Sequence, residues 1–309
     1  MAQNSAEDYY VCGLHLRSDL PLPGLALAGD DAAAPTIEIR IGEAGSGVAE
    51  PRHTGPTYQA AANDYLLEVR DVARYRVRGG AEIIVEPDAR SSERDVRLFL
   101  LGTVFGVLCH QRGLLPLHAS AIEVAGRCIA FAGRSRAGKS TLAAHYGDRG
   151  YTVLADDICV LSFPPKGPPL AWPGVPKMKL WLDALRALGR DPGDLETVRD
   201  GLQKYHVPLG GRAEDKPVPL MRVYNLHVAR LPQREGIERL SGAAAFDDIL
   251  NHTYRQHLLA PLGRAQAHFQ QCAVLLKQVP MFAVGRGWGF ERFAAQADAL
   301  ERHFLDGGA

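Results

Sequence analysis

Alternating apolar and polar side chains mark the first third of the chain. The runs that largely follow a two-residue period are 36–41 (TIEIRI), 65–70, 73–78 and 82–86. This period is typical of strands with one buried face. The Gly-Gly pair at 79–80 separates the last two runs and predicts a hairpin turn. We therefore predict a β-rich N-terminal region over residues 1–95, without a polar constellation that suggests chemistry.

Helical spacing replaces this alternation after residue 92. Apolar side chains that recur every three or four residues predict a helix over 92–112: Leu98, Leu101, Val104, Phe105 and Leu108. Short apolar runs then alternate with one segment of helical pattern that ends at Gly150. They predict strands at 119–124, 127–132, 151–155 and 158–163, and a helix at 141–149. Strand, helix and strand in this order predict an α/β core.

The rest of the chain is predominantly helical in pattern. The predicted helices are 180–188, 243–251, 254–259, 265–276 and 291–304, and the predicted strands are 223–228 and 281–284. Residues 189–219 follow neither period and are predicted to be irregular. We divide the chain into the β-rich region, an α/β core over 96–235 and a mainly helical region over 236–309.

Composition narrows the class of protein. Hydrophobic residues make up 46% and charged residues 23%, which excludes a wholly disordered chain. Lys+Arg and Asp+Glu are equal at 35 each, which argues against a dedicated nucleic-acid binder but leaves room for a local basic groove. The longest apolar run, 98–109, is too short for a bilayer, which needs about 20 residues.

Targeting and cysteine patterns favour the cytoplasm. The first residues (MAQNSAEDYY) lack a basic segment followed by an apolar one, so no secretory signal is predicted. The five cysteines are scattered and odd in number, which fits neither a disulfide framework nor a metal site. We expect a cytoplasmic protein whose partners are neither membranes nor nucleic acid.

The strongest chemical motif is GRSRAGKS at 133–140, a full match to G-x-x-x-x-G-K-[ST] between a predicted strand and a predicted helix. Glycines let backbone N–H groups turn inward, and these groups with the positive helix end hold phosphate oxygens. Lys139 can reach the outer phosphates, and the Ser140 hydroxyl can ligate Mg²⁺. The predicted nucleotide-binding residues are Gly133, Arg134, Ser135, Arg136, Ala137, Gly138, Lys139, Ser140 and Thr141. Arg134 and Arg136 either contact phosphate or face solvent.

An acidic pair, Asp156 and Asp157, ends a predicted strand 17 residues after Lys139. One helix returns the chain, so we expect this strand to lie beside the strand that feeds the glycine-rich loop. Both carboxylates then project from the same sheet edge as the loop. One can hold Mg²⁺ and the other can take the proton from an attacking hydroxyl. The sequence leaves open which does which.

Cations outside the loop are candidates for substrate contacts. Four residues could stabilise the charge of a transferred phosphate or hold the acceptor: Lys177, Lys179, Lys204 and Arg212. Each is also compatible with an ordinary surface position. Trp172 and Trp181 are equally compatible with a core and with a stacking role, and Asp247-Asp248 is placed near the start of a helix, where its charge suits the dipole.

These segments together resemble a known family. Residues 117–121 (LHASA), 131–141 (FAGRSRAGKST) and 149–157 (RGYTVLADD) are similar to the catalytic core of HPr kinase/phosphorylase and, more distantly, to the ATP site of phosphoenolpyruvate carboxykinase. The resemblance covers about 114–163 and implies a P-loop α/β kinase core. It places His118 near the transferred phosphate or a metal, and makes Asp156 or Asp157 the base or metal partner. Arg136 stands where the bacterial enzymes usually carry glycine.

The layout of the whole chain resembles the HPr-kinase-like enzymes of lasso-peptide biosynthesis. It combines a Y-x-V-x-G-L opening at 9–14 with a K-L-W-x-D-A-L segment at 179–185. This implies an ATP- and Mg²⁺-dependent serine kinase acting on a ribosomally made peptide, at the hydroxyl of its C-terminal residue. The parent family is commonly hexameric, so a homo-oligomer is one expectation. A nucleotide-binding regulatory protein without kinase activity and a small-molecule kinase remain alternatives.

Overall fold

The computed structural model describes residues 6–27, 36–209, 216–229, 235–287 and 289–306. Over these residues the protein is a mixed α/β structure with two nine-stranded sheets, a two-stranded sheet and helices that cover both faces of the second sheet.

The first sheet is built entirely from the N-terminal part of the chain. Its strands are Glu7–Val11 (β1), Leu14–Ser18 (β2), Ala26–Leu27 (β3), Thr36–Ile41 (β4), His53–Thr54 (β5), Tyr58–Ala61 (β6), Asp64–Val69 (β7), Ala73–Arg78 (β8) and Glu82–Pro87 (β9). Their order is β3-β1-β2-β4-β9-β8-β7-β6-β5. The hairpin predicted at 79–80 is confirmed, because Arg78 pairs with Glu82 across it.

The helical segment predicted over 92–112 packs on the first sheet. It comprises Glu93–Phe99 (α1), a π-helical turn over Leu100–Val104 and Phe105–Gln111 (α2). The Ser92 hydroxyl caps α1 by accepting from the Asp95 N–H at 3.1 Å. The buried side chains of this segment share a hydrophobic core with the first sheet. We assigned residues from 96 onward to the α/β core region. In the structure, the helical segment up to Gln111 instead packs with the N-terminal sheet.

The second sheet carries the strand–loop–helix unit predicted around the glycine-rich motif. Its strands are Leu115–Leu117 (β10), Ala119–Val124 (β11), Arg127–Gly133 (β12), Thr152–Ala155 (β13), Cys159–Ser162 (β14), Leu170–Trp172 (β15), Val218–Val228 (β18), Gly236–Leu240 (β19) and Met281–Arg286 (β20). The order is β10-β14-β15-β18-β12-β11-β13, with β20 pairing both β18 and β19. The helix after the motif is Lys139–Asp148 (α3).

One prediction about this sheet is wrong. The strand before the acidic pair, β13, does not lie beside β12, because β11 lies between them and pairs with both. β11 and β12 form a local hairpin, so the edge of β12 next to β13 is already occupied. β11 is antiparallel to both neighbours, so its first residues lie at the same sheet edge as the last residues of β12 and β13. This edge brings His118, the loop and the acidic pair together.

Helices shield the two faces of the second sheet. Side chains of α3 and Phe293–Asp306 (α7) pack on one face, and those of Gly242–His252 (α5) and Ala265–Gln278 (α6) pack on the other. The predicted helix at 254–259 is only a 3-10 turn over Gln256–Leu258. The region after residue 236 is helical over α5, α6 and α7 but also supplies β19 and β20 to the core sheet.

The third sheet corrects the prediction for 180–219. Lys177–Trp181 (β16) is a strand, the helix Leu182–Ala187 (α4) begins only after it, and Lys204–Pro208 (β17) pairs with β16 in a segment predicted to be irregular. Cross-strand pairing, which links residues 23 to 31 positions apart, overrides the weak local pattern here.

All five cysteines are buried and free, as their scattered spacing predicts. Within the described residues, no helix has the length and apolar character that crossing a membrane requires.

Candidate functional site

The glycine-rich loop joins β12 to α3 at the carboxyl edge of the second sheet. Gly133 has φ 141°, and a Cβ there would lie 2.5 Å from the carbonyl oxygen of Leu226 on the neighbouring strand. Gly138, with φ 87°, is the N-cap of α3. The first N–H groups of a helix lack intrahelical partners, and no acidic residue lies in the first turn of α3. The loop therefore presents backbone donors and the positive end of the helix dipole to the cleft.

Lys139 is buried beneath the loop that precedes it. Its ammonium donates to the carbonyl oxygens of Gly133 at 2.8 Å and Arg134 at 3.2 Å. Burial lowers the pKa of Lys139 to about 8, although the charges of Asp156 and Asp157 act in the opposite direction. The loop therefore holds a cation whose hydration shell has already been partly removed, which strengthens its attraction for a phosphate.

Asp156 is fixed by neutral donors. Its Oδ1 accepts from the Ser120 hydroxyl at 2.6 Å, and its Oδ2 accepts from the backbone N–H of Lys179 at 2.8 Å. Ser120 lies on β11, and Lys179 lies on β16. Asp156 is only 8% exposed, so these two contacts set the orientation of its carboxylate.

Asp157 is held by a lysine and a histidine. Its Oδ2 lies 2.8 Å from the Lys179 ammonium, and its Oδ1 lies 3.3 Å from Nδ1 of His118. Burial alone would raise its pKa, but the hydrogen bonds from His118 and Lys179, together with the charge of the Lys179 ammonium, outweigh burial and hold the pKa of Asp157 well below its usual range. The residue has φ 72°, a left-handed conformation that aspartate tolerates better than most non-glycine residues.

The β16–β17 sheet supplies the opposite wall of the site. Trp181 and Lys204 face each other across this sheet, with the Lys204 ammonium 5.5 Å from the indole centroid. The Arg136 guanidinium lies over the same ring at 4.6 Å. Arg136 has φ 67°, a conformation that favours glycine, and its side chain bridges the loop to this wall. Trp181 is therefore part of the site, whereas Trp172 donates to Ser162 away from it.

These groups line one cleft of about 620 Å³. Its charged residues in the described part of the chain comprise six cations and three carboxylates: Arg136, Lys139, Lys179, Arg186, Lys204, Arg286, Asp156, Asp157 and Asp183. A chain with a formal net charge of zero thus concentrates positive charge at one place. Such a cleft attracts a polyanion.

Sequence reasoning missed several cleft residues. Arg286, at the end of β20, donates from Nη2 to the Ala137 carbonyl at 2.6 Å and braces the loop. The rings of Phe290 and Phe293 lie 6.1 Å apart and give the cleft an aromatic part. Nε2 of Gln296 nearby is buried and has no hydrogen-bond partner within the described residues. Because β20 comes about 150 residues after the motif, no local signal could have linked these residues to it.

Most of the predicted site residues line the cleft, but some do not. Ser135 to Thr141, His118, both aspartates, Lys179 and Lys204 line the cleft. Gly133 and Arg134 serve it through their carbonyl oxygens, which hold Lys139. Arg212 lies outside the described residues. Asp248 is in the middle of α5 rather than near its start; it is buried, and burial raises its pKa to about 6 despite a hydrogen bond from Asn225.

The donor set fits Mg²⁺ better than a metal held by protein alone. No group of three or more His, Cys, Asp or Glu side chains within the described ranges could hold a metal ion. Mg²⁺ is usually held by one or two carboxylates together with substrate phosphates and water. Asp157, Asp156 and the Ser140 hydroxyl line the same cleft and are ligands of this kind.

Comparison with known proteins adds little to this geometry. No protein-family model matches the chain, and no curated protein matches it. Among solved structures, the HPr(Ser) kinase/phosphatase from Coxiella burnetii is similar over 62% of this chain and 91% of its own, with 12% sequence identity and a TM-score of 0.30. That TM-score is too low to carry an argument, so the fold and the site rest on this chain's own residues.

Proposed function

We propose that the protein is an ATP-dependent phosphotransferase that moves the γ-phosphate to a serine hydroxyl. The observation that carries the proposal is that the glycine-rich loop and the two aspartates line the same cleft. Phosphoryl transfer depends mainly on positioning and on stabilising spread negative charge, and a cationic cleft with a fixed carboxylate can do both.

The triphosphate is bound by the loop. Backbone N–H groups at the start of α3 hold its oxygens, and the Lys139 ammonium exchanges the carbonyl oxygens of Gly133 and Arg134 for phosphate oxygens. Lys204 and Arg286 add positive charge from separate elements. Phe290 and Phe293 provide an aromatic surface for the nucleobase, and the unpartnered Gln296 amide is a donor for it.

We assign the proton-accepting role to Asp156. A carboxylate whose pKa is held well below its usual range is a weak base, so Asp157 stays ionised and anchors Lys179 and His118. Asp156 is oriented by neutral donors and can accept the proton of the attacking hydroxyl as that oxygen bonds to phosphorus. Mg²⁺, held by Ser140 and Asp157, would neutralise charge on the phosphates.

The acceptor we propose is a peptide with a serine, at the C-terminal residue of a ribosomally made lasso-type precursor. This part of the proposal is supported by the layout of the sequence, from the Y-x-V-x-G-L opening to the K-L-W-x-D-A-L segment.

The direct test is transfer of label from γ-labelled ATP, with ATP binding measured separately. The wild-type protein binds ATP and labels an acceptor, and Lys139→Ala loses both. Lys166→Ala removes an exposed lysine that does not line the cleft and serves as the matched control. Transfer that persists in Lys139→Ala contradicts the mechanism. Tight ATP binding without transfer to any acceptor favours the regulatory alternative.

A further inference from the structure

A second, smaller cavity adjoins the cleft on the far side of the acidic pair. Its volume is about 110 Å³, against about 620 Å³ for the cleft, and the two cavities share Asp156, Asp157 and Lys179. Since a water molecule takes up about 30 Å³ in the liquid, the smaller cavity has room for one group of amino-acid size. A carboxylate that can accept a proton therefore separates a phosphate-binding cleft from a compartment fit for a small group.

Away from the wall that it shares with the cleft, the small cavity carries three cations and one carboxylate in the described part of the chain. Apart from the three shared residues, its charged side chains in the described part of the chain are Arg94, Arg97, Lys177 and Glu196. The two arginines lie one turn apart on α1, so they present adjacent guanidinium groups to the same compartment. Leu98, Leu101 and Phe105 form an apolar part of its wall. A small organic anion fits this combination.

Each arginine has an exposed partner that a ligand can replace. Arg94 donates from Nη2 to Asp200 at 2.8 Å, and Arg97 donates from Nη1 to Glu93 at 2.8 Å. The Nε of Arg94 also lies 3.5 Å from Oδ1 of the more sheltered Asp95, and this ion pair stays in place. The side chains of Asp200 and Glu93 are 87% and 68% exposed, whereas those of Arg94 and Arg97 are only 21% and 22% exposed. Ion pairs with exposed carboxylates contribute little, so a ligand carboxylate that enters the cavity exchanges a weak contact for a more sheltered one. Each guanidinium has five N–H donors, and these contacts leave several for a ligand.

We propose that this cavity is the acceptor site and that it selects a hydroxyl group carried next to a free carboxylate, which Arg94 and Arg97 bind. The inference rests on the proposed phosphotransferase function and adds the chemistry of the acceptor. Two sources present this group: the terminal serine of a peptide with a free C-terminus, and a free hydroxy acid such as L-serine. In the first case the carboxylate marks the chain end, and an internal serine is excluded.

The transfer step is balanced as follows. The acceptor oxygen forms a bond to the γ-phosphorus while the bond from that phosphorus to the β–γ bridging oxygen breaks. The bond electrons leave with ADP. The hydroxyl proton passes to Asp156 and then to solvent. Carboxylate binding by the arginines places the hydroxyl at the wall that both cavities share.

The test compares the acid and amide forms of the same peptide acceptors and adds free L-serine. The full-length protein is incubated with γ-labelled ATP and a pool of short peptides, randomised except for a terminal serine, supplied either as free acids or as C-terminal amides; free L-serine forms a third arm. We expect the acid pool to be labelled with a kcat/KM about 10- to 100-fold above that of the amide pool, because a charge-assisted pair is lost in the amide. Preferential labelling of L-serine supports the same cavity with a small-molecule source.

Variants of the cavity provide the second measurement. Arg97→Gln and Arg94→Gln should raise the KM for the acid acceptor and leave both the amide rate and ATP binding unchanged, whereas a merely structural role would lower all of them together. Arg90→Gln is the matched control, since Arg90 is 74% exposed and does not line the cavity.

Two outcomes overturn the proposal, and they differ in whether the proposed phosphotransferase function survives. Equal labelling of acid and amide pools removes the carboxylate site while leaving the phosphotransferase intact. ATP binding with no label in any arm removes the acceptor site and, with it, the proposed transfer. Loss of ATP binding in the wild type, by contrast, is failure of the proposed function at its first step.

Discussion

The two nine-stranded sheets differ in how neighbouring strands are connected, and this difference separates scaffold from chemistry. In the first sheet, β5 to β9 are joined in succession by short turns. In the second, β12 lies between its hairpin partner β11 and the distant β18. No residue of the first sheet lines the large cleft, within the part of the chain that the structure describes. Strand ends that meet at a crossover leave a crevice, whereas hairpin ends are closed by their own turns.

The largest effect that we expect is a fall in the rate of phosphoryl transfer when Asp156 in the second sheet is substituted. Asp156→Asn keeps the size of the side chain but removes the proton acceptor, so kcat should fall by about 10²–10⁴-fold. Stability should change little, since the amide oxygen can accept from the Lys179 N–H while the amide nitrogen donates to the Ser120 hydroxyl oxygen. Transfer of label and urea unfolding measure the two quantities.

The counterpart in the first sheet is Asp64, which binds Arg76 through two contacts of 2.9 and 2.5 Å. Asp64→Asn should destabilise the protein by about 1–3 kcal/mol, because it weakens a largely buried, charge-assisted contact, and should leave kcat unchanged. Loss of activity in the folded Asp64→Asn variant would show that the first sheet takes part in the reaction.

Glycine-to-alanine substitutions test how tightly the backbone is packed in each of the two sheets. An alanine Cβ at Gly133 would meet the Leu226 carbonyl at 2.5 Å, so Gly133→Ala must displace β12 from β18 or distort the loop. We expect a loss of about 2–3 kcal/mol in unfolding free energy together with weakened ATP binding.

Gly79→Ala is the matched substitution, because Gly79 also has a positive φ but nothing within 4 Å of an added Cβ. It should cost only about 1 kcal/mol and leave ATP binding unchanged. Equal losses of unfolding free energy in the two variants would show that the close contact between the added Cβ and the Leu226 carbonyl is relieved by small shifts.

A smaller effect is expected from pH. Lys139 is charged below its pKa of about 8 and loses that charge above it, so ATP affinity should fall as the pH rises past 8, by about tenfold per unit at most. Titration calorimetry between pH 7 and 9.5 measures the fall. Lys139→Arg keeps its charge and should show a flat profile; a fall that persists would assign the proton to another group, such as Lys204.

The smallest effect is expected at Arg136. Arg136→Gly relieves a left-handed conformation, worth about 1 kcal/mol, and removes a stacking contact with Trp181 of about 0.5–1 kcal/mol. Stability should therefore hardly change. ATP affinity should change by less than about fivefold, because the guanidinium is occupied by the indole ring and an exposed charge contributes little. A larger loss of affinity would make Arg136 a phosphate ligand.

Local patterns were sufficient where the relevant interactions are local. The two-residue period located β4, β7, β8 and β9, and the helical spacing located the segment around α1 and α2, since both periods follow from backbone geometry. The motif at 133–140 located the strand–loop–helix unit, and the acidic pair was placed at the correct sheet edge. The strand order behind that placement was wrong, because pairing between β11 and β13 depends on which edges remain free.

The strand–loop–helix unit and the carboxylates soon after it could be predicted from the amino-acid sequence alone. These features depend on residues close together in the chain, through backbone periodicity, glycine conformation and the helix dipole. Three other features depend on how distant elements pack in the folded protein. Lys179 pairs with Asp157, Trp181 stacks with Arg136, and Arg94 and Arg97 line a cavity next to the acidic pair. Such contacts arise when separate elements pack around one core, and no period in the sequence encodes which distant side chains then become neighbours.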